Sequence, residues 1–394
     1  MKRNFLISIL LAAVLVFQSC PSEPVPEGPI ESASLPKASD NTKRLYNYLL
    51  DMYGNFIISG QADTSWTTNK TMDMVTRVYT DTGKYPALKG FDFIDLPNSW
   101  GQYGQEQIDD AIEWWNGTNR VNGAEPPAKL LPGQPDIHGI VTFCWHWRVP
   151  TKRTGTSRVF YTRETDFRIP WKDDMLDTAS DDFKTINDDL DKVAALLKNL
   201  QDKDIPVLWR PLHEASGGWF WWGASGPASY KALWEYMYDY LGNVKKINNL
   251  LWVWNGQDAA WFPDPATVDI VSYDRYLYPA NNTSVTRNYA SQWKTFEDTL
   301  YMVSDGTSRM VALTENGAIP DPDNCKKDNA MWSWFMVWND RSGSTQGESH
   351  QDNYWTGDWH NTQAHKEHVY NHELVITLDE LPDLTKYRMD NITQ

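Results

Sequence analysis

The chain has 394 residues, long enough for one α/β barrel of ordinary size or for two smaller domains. Its 52 Asp and Glu outnumber 36 Lys and Arg, a formal charge of -16, which excludes partners held by phosphate neutralisation and so sets nucleic acid aside. The 21 Trp and 19 Tyr are flat rings with one polar handle, which build cores and also match the C–H faces of sugar rings.

The amino terminus carries Lys2 and Arg3, an apolar run over 5–17 and then Ser19-Cys20. That is the pattern of a secretory signal, too short to span a bilayer as a stable helix. A small residue directly before the Cys resembles the lipobox of bacterial lipoproteins, with Phe17 where Leu is usual. The resemblance implies a signal over 1–20 and acylation of Cys20, which would anchor the chain by lipid to the cell envelope, in the periplasm or on the outer surface. The alternative is an ordinary secretory signal with an incidental Cys, and either way export from the cytoplasm is expected. Residues 21–38 are rich in Pro, Glu and Ser without periodicity and are expected to form a flexible linker. The two remaining cysteines, Cys144 and Cys325, are too few for a disulfide framework and lack metal-ligand spacing. Cys144 lies in an apolar run, where a buried small hydrophobe is expected.

From residue 39 onward, apolar strand-like runs alternate with amphipathic helical stretches. Strands are predicted over 56–59, 87–93, 140–147, 206–212, 250–254, 270–273, 310–314 and 334–338. Helices are predicted over 72–80, 105–115, 181–200, 227–246, 289–303 and 362–371. This alternation predicts a single (β/α)8 TIM barrel over 39–394, with no sequence repeat, no second domain and a monomeric state.

Such barrels carry their reactive groups at the carboxyl ends of the strands. Those ends hold Asp92 and Asp95, His146, Arg210, His213 and Glu214, Asn255, Asp274 and Tyr276, and Glu315. Two carboxylates facing each other across the mouth can cleave a glycosidic bond, one as acid and one as nucleophile or base. Pleat alternation places Arg210, Leu212 and Glu214 on one face of the fourth strand and Val311, Leu313 and Glu315 on one face of the seventh. Glu214 is preceded by Val207-Leu208-Trp209 and followed by Trp219, Trp221 and Trp222, surroundings that desolvate a carboxyl and raise its pKa. Tyr276 or His213 can donate a hydrogen bond that keeps Glu315 ionised.

The segment Arg210-Pro211-Leu212-His213-Glu214, with Gly218-Trp219-Phe220-Trp221-Trp222-Gly223 after it, resembles the acid/base motif of glycoside hydrolase family 26, and Leu313-Thr314-Glu315-Asn316-Gly317 resembles its nucleophile motif. Further matches are Ile58-Ser59-Gly60-Gln61, Thr142-Phe143-Cys144-Trp145-His146-Trp147 and Tyr273-Asp274-Arg275-Tyr276. The resemblance, over about residues 40–370, implies a retaining double displacement with Glu214 as general acid/base and Glu315 as nucleophile. It places His146, Trp219 and Tyr276 around the sugar before the cleaved bond, His213 where most of the wider clan has Asn, and Trp338 as a stacking floor. Trp334, Trp355 and Trp359 compete with Trp338 for that role.

The substrate implied is β-1,4-mannan, as mannan, glucomannan or galactomannan, cleaved in endo or exo mode. Xylan or mixed-linkage β-glucan is the alternative within the same mechanism. A non-catalytic surface glycan-binding lipoprotein would need neither glutamate. A metal hydrolase is disfavoured, because His365 and His368 sit three apart with no acidic or Cys partner near them in sequence. The acidic stretch Asp321-Pro322-Asp323-Asn324 is expected to be a turn rather than a calcium loop, and no cofactor or metal is expected.

Overall fold

The computed structural model describes residues 32, 34–63, 73–96, 101–120, 126–134, 137–151, 158–276, 289–303, 308–341 and 343–389, so the signal segment and Cys20 lie outside the described residues. Among these, eight parallel strands close a barrel: β1 (Gly60–Ala62), β2 (Leu88–Asp92), β3 (Ile140–Cys144), β4 (Val207–Arg210), β5 (Leu250–Trp254), β6 (Ile270–Arg275), β7 (Met310–Asn316) and β8 (Phe335–Val337), each paired with its sequence neighbours and β8 with β1. Strands covered on both faces read as continuous apolar runs. That is why β3 and β5, buried at every position, fall where the sequence puts them.

The helices are α1 (Asp40–Met52), α2 (Met74–Thr82), α3 (Gly101–Trp115), α4 (Asp181–Gln201), α5 (Pro227–Asp239), α6 (Trp293–Leu300), α7 (Pro322–Lys327) and α8 (Gln363–Tyr370). In α4, Ser180 caps the first turn by accepting from the Phe183 N–H, and two Asp follow at its positive end. Ile186, Leu190, Val193, Leu197 and Leu200, three or four apart, form the buried face. Each such side chain contributes about 2 kcal/mol on burial. The predicted helix over 227–246 ends sooner, at Asp239, and passes into a π-type turn over Tyr240–Val244.

The structure departs from the sequence reading elsewhere too. The first barrel strand is Gly60–Ala62 rather than 56–59. Ile57–Ile58, the apolar pair that carries the sequence signal, instead pairs with Val375–Ile376 beside the barrel. Gly60 is required because a Cβ there would stand 2.5 Å from the Phe335 carbonyl oxygen. Helix α1 precedes the first strand, outside the βα alternation, and packs on the carboxyl-terminal stretch through the Tyr48 and Tyr387 rings, 5.2 Å apart. Within the 21–38 stretch, Ser34 bonds to Asp269 through its N–H and hydroxyl at 2.8 and 2.7 Å. The 321–324 stretch opens a short helix, with the Asp321 side chain accepting from the Asn324 N–H.

Candidate active site

Arg210, the last residue of β4, is buried at the barrel mouth and donates to Asp274 Oδ2 at 2.8 Å and to Glu315 Oε1. Burial works against its charge, but the carboxylates of Asp274 and Glu315 outweigh it and raise its pKa. The Tyr276 hydroxyl donates to Glu315 Oε2 at 2.7 Å, so both oxygens of Glu315 accept hydrogen bonds. Asp274 also accepts from Thr314 Oγ1 at 2.7 Å and Asn255 Nδ2 at 3.0 Å. The β6–β7 register shifts between Tyr273 and Asp274, which brings Asp274 opposite Glu315. A bulge of this kind re-aims side chains at a strand end.

Glu214 reaches the same mouth by a route that pleat alternation does not describe. Strand β4 stops at Arg210, because Pro211 has no N–H to continue the ladder. Leu212 and Glu214 then adopt left-handed backbone, each with φ of 53°. Such conformations cost energy for residues with a Cβ and persist where surrounding contacts fix them. Here the Glu214 N–H is held by Asn255, whose backbone oxygen accepts at 2.7 Å and whose side-chain oxygen lies at 3.0 Å. The Trp219 indole N–H donates to Glu214 Oε2 at 2.8 Å. Trp219 itself is 46 % exposed and is seated by Thr162, which donates to the carbonyls of Gly218 and Trp219. A Cβ on Gly217 would lie 2.0 Å from the Trp219 ring, and Gly218 has φ of 69°, so the turn under this indole requires both glycines. Burial, then the charges of Asp274 and Glu315, hold the Glu214 carboxyl far above the usual range.

His146, just past β3, binds Asp92 twice: its Nδ1 lies 2.6 Å from Oδ2, and its backbone N–H donates to Oδ1 at 3.0 Å. Burial opposes the imidazolium, but the Asp92 carboxylate raises the His146 pKa. His146 Nε2 faces His213 Nε2 at 3.2 Å. His213 is buried, and burial followed by the charges of His146 and Arg210 keeps its ring neutral. It therefore bonds to His146, while Tyr276 is the residue that donates to Glu315. Trp338 stands over His146 with ring centroids 5.8 Å apart, whereas Trp334 and Trp355 are fully buried. Trp359 is partly open.

Oxygens of Glu214, Asp274 and Glu315 lie within 4.8 Å of one another. Arg210 already bonds to two of the three, so the cluster is neutralised by a guanidinium and is poorly suited to a cation. Sequence reasoning flagged Arg210, Asn255 and Asp274 at strand ends without giving them roles. It missed Tyr354, from the loop after β8, whose ring lies 5.2 Å from that of Tyr276, and Phe160, whose ring lies 5.1 Å from that of His146. Both come from irregular loops, where no periodicity marks a residue as inward-facing.

The pattern of glycosyl hydrolase family 26 matches residues 35–126 and 133–380. A mannan endo-1,4-β-mannosidase of Thermothelomyces thermophilus is 36 % identical over 369 residues, covering 92 % of this chain and 66 % of that one. A crystal structure of a Podospora anserina β-(1,4)-mannanase superposes with a TM-score of 0.71 at 31 % identity, covering 93 % of this chain and 72 % of that one. A β-mannanase from a symbiotic protist of the termite Reticulitermes speratus, complexed with gluco-manno-oligosaccharide, gives 0.69 at 27 % identity, covering 90 % and 98 %. The chain spans 66, 53 and 50 % of the length of three curated relatives. With the family pattern matched over most of its length onto an eight-stranded parallel barrel, the chain belongs to glycosyl hydrolase family 26.

Proposed function

We propose that the chain is a retaining β-1,4-mannan hydrolase in which Glu315 attacks the anomeric carbon and Glu214 first protonates the departing oxygen, then activates water. The carrying observation is the carboxylate pair, whose oxygens approach within 4.8 Å. That limit accommodates the close approach of a retaining pair and is short of the ~6.5–9.5 Å an inverting pair needs for its water. The two environments differ as the roles require. Glu315 accepts from Arg210 and Tyr276, as suits a carboxylate nucleophile. Glu214 is held protonated, as suits an acid. Asp92, through His146, and Arg210 orient the groups that meet the sugar, with Trp219 and Trp338 as aromatic surfaces above and beside it.

Mannan is favoured over other β-1,4-glycans by relatives named mannan endo-1,4-β-mannosidase, and endo action by the same names. The test is a panel of mannan, glucomannan, galactomannan, xylan and mixed-linkage β-glucan, with products sized over time. Early release of mid-length manno-oligosaccharides is expected, and faster cleavage of xylan or mixed-linkage glucan would overturn the assignment.

The lipid anchor at Cys20 belongs to the same reading and rests on Ser19-Cys20 after the apolar run. Ser32 and Ser34 are clasped by Asp269 at the amino end of β6, the pole opposite the mouth, so a chain tethered through its amino terminus keeps its mouth clear of the membrane. Among the described residues, no helix is long and apolar enough to cross a membrane. Palmitate labelling in bacterial cells is expected and is lost in Cys20→Ala; a label that survives the substitution rules the anchor out.

A further inference from the structure

Two stretches far apart in sequence meet on the outside of the barrel. Asp321 and Asp323 stand at the start of α7, and His368 and His372 on α8 and the turn after it. His368 Nε2 lies 3.3 Å from Asp321 Oδ2, and His372 Nε2 lies 3.4 Å from Asp323 Oδ1. Ligand atoms of Asp323, His368 and His372 all fall within 4.8 Å of one another. The sequence pair His365 and His368 is not the relevant one: His365 is buried and its Nε2 lies 2.9 Å from the Ile319 carbonyl oxygen. Nor does His368 lack an acidic neighbour, as the linear sequence suggests.

A charge-assisted N–H···O bond closes to roughly 2.7–2.9 Å, and these two contacts are wider. The contact between His372 and Asp323 matches the edge of a tetrahedron whose corners stand ~2.0–2.1 Å from its centre, the spacing of nitrogen and oxygen ligands around zinc. We infer that Asp323, His368 and His372 form a binding site for a divalent transition cation of the zinc type. Two imidazole nitrogens select against calcium and magnesium, which prefer oxygen cages. The Asp323 carboxylate offsets part of the charge of the dication, and Asp321 stands next to it. Asp321 stands beside the three: it caps α7 through Oδ1 and its Oδ2 faces His368, which orients that ring.

His372 Nδ1 accepts the Leu374 N–H at 3.1 Å, which leaves the ring proton of the neutral form on Nε2. Ligation through Nε2 transfers that proton to Nδ1 and gives up the Leu374 bond, one hydrogen bond exchanged for closing the chelate. The cation would tie α7 to α8 behind the turn that follows Glu315. That turn is already braced by Asn361, which accepts from the Ile319 N–H at 2.8 Å and donates to the Gly317 carbonyl at 2.8 Å. The site lies outside the barrel mouth, so its effect is on rigidity and not on chemistry.

The experiment uses the full chain stripped with chelator. Calorimetric titration with Zn(II) is expected to show one site per chain. At a hundredfold excess over Kd, the melting temperature should rise by about 3–5 °C. Co(II) is expected to give the intense visible absorption of a tetrahedral centre. His368→Ala/His372→Ala should lose all three signals while polymer turnover of the metal-free protein stays unchanged. Asp323→Asn, at an exposed position, should weaken binding roughly tenfold or more without altering the fold. A wild-type chain that binds no Zn(II), or a double variant that keeps the same stoichiometry and melting shift, overturns the assignment.

Discussion

Glu315→Ala is expected to abolish cleavage of every substrate, polymer and activated aryl glycoside alike, by a factor of about 10⁴ or more in kcat. Among the described residues, the carboxyl beside Glu315 is that of Asp274, whose side chain is fully buried and whose pKa is raised, first by burial, to about 7, so it is the poorer nucleophile. Leaving-group quality does not matter in this variant, because the lost step is bond formation to the anomeric carbon. Glu315 is buried against Arg210, which keeps Asp274 as a partner, so its removal should cost less than the about 3–5 kcal/mol of a buried charge left wholly unpaired. Glu315→Gln, which keeps the volume and one acceptor for Arg210, separates the two effects. It should melt close to the wild type and be as inactive on an aryl mannoside as Glu315→Ala. Substantial turnover by a folded Glu315→Gln would remove Glu315 from the nucleophile role.

The barrel was legible because its strands are apolar on both faces, and Leu250–Trp254 needs no partner to be recognised as such a strand. Gly60–Ala62 was not legible. Its place in the barrel is set by a close approach to the Phe335 backbone rather than by hydrophobicity, and the buried Gln61 bonds to the carbonyls of Ala62 and Val337. In the site, position along the strand was readable and direction was not. Glu214 and Glu315 were both located, yet alternation explains neither approach, because Pro211 ends one ladder and a register shift at Asp274 alters the other. His213 was readable as a mouth residue, but its neutrality depends on His146 and Arg210, which lie 67 and 3 residues away in sequence and converge on it only in the fold. The His368 and Asp321 contact is of the same kind: two surface elements that no local pattern connects.

Glu214→Ala separates acid from nucleophile. Loss of the proton donor should lower polymer hydrolysis by about 10²–10⁴-fold, the range for a positioned general acid. An aryl β-mannoside whose phenolate leaves unaided should still form the glycosyl-enzyme through Glu315. Deglycosylation then stalls, because water lacks its base, and the variant is expected to show a burst of phenolate followed by a low steady rate. Azide needs no base and should restore turnover while giving a β-mannosyl azide, two inversions returning the original configuration. The pH profile carries an independent signature. Burial, Asp274 and Glu315 raise the Glu214 pKa, so the carboxyl is protonated and competent below that value and is lost as an acid when pH rises through it. The alkaline limb of kcat/KM on polymer therefore belongs to Glu214 and should vanish in Glu214→Ala on the activated substrate, where no acid is required. Trp219→Phe, which removes the 2.8 Å bond to Oε2, should move that limb further alkaline, since this bond opposes the rise. An α-configured azide product, or an alkaline limb that persists unchanged in Glu214→Ala, would assign the acid to another group.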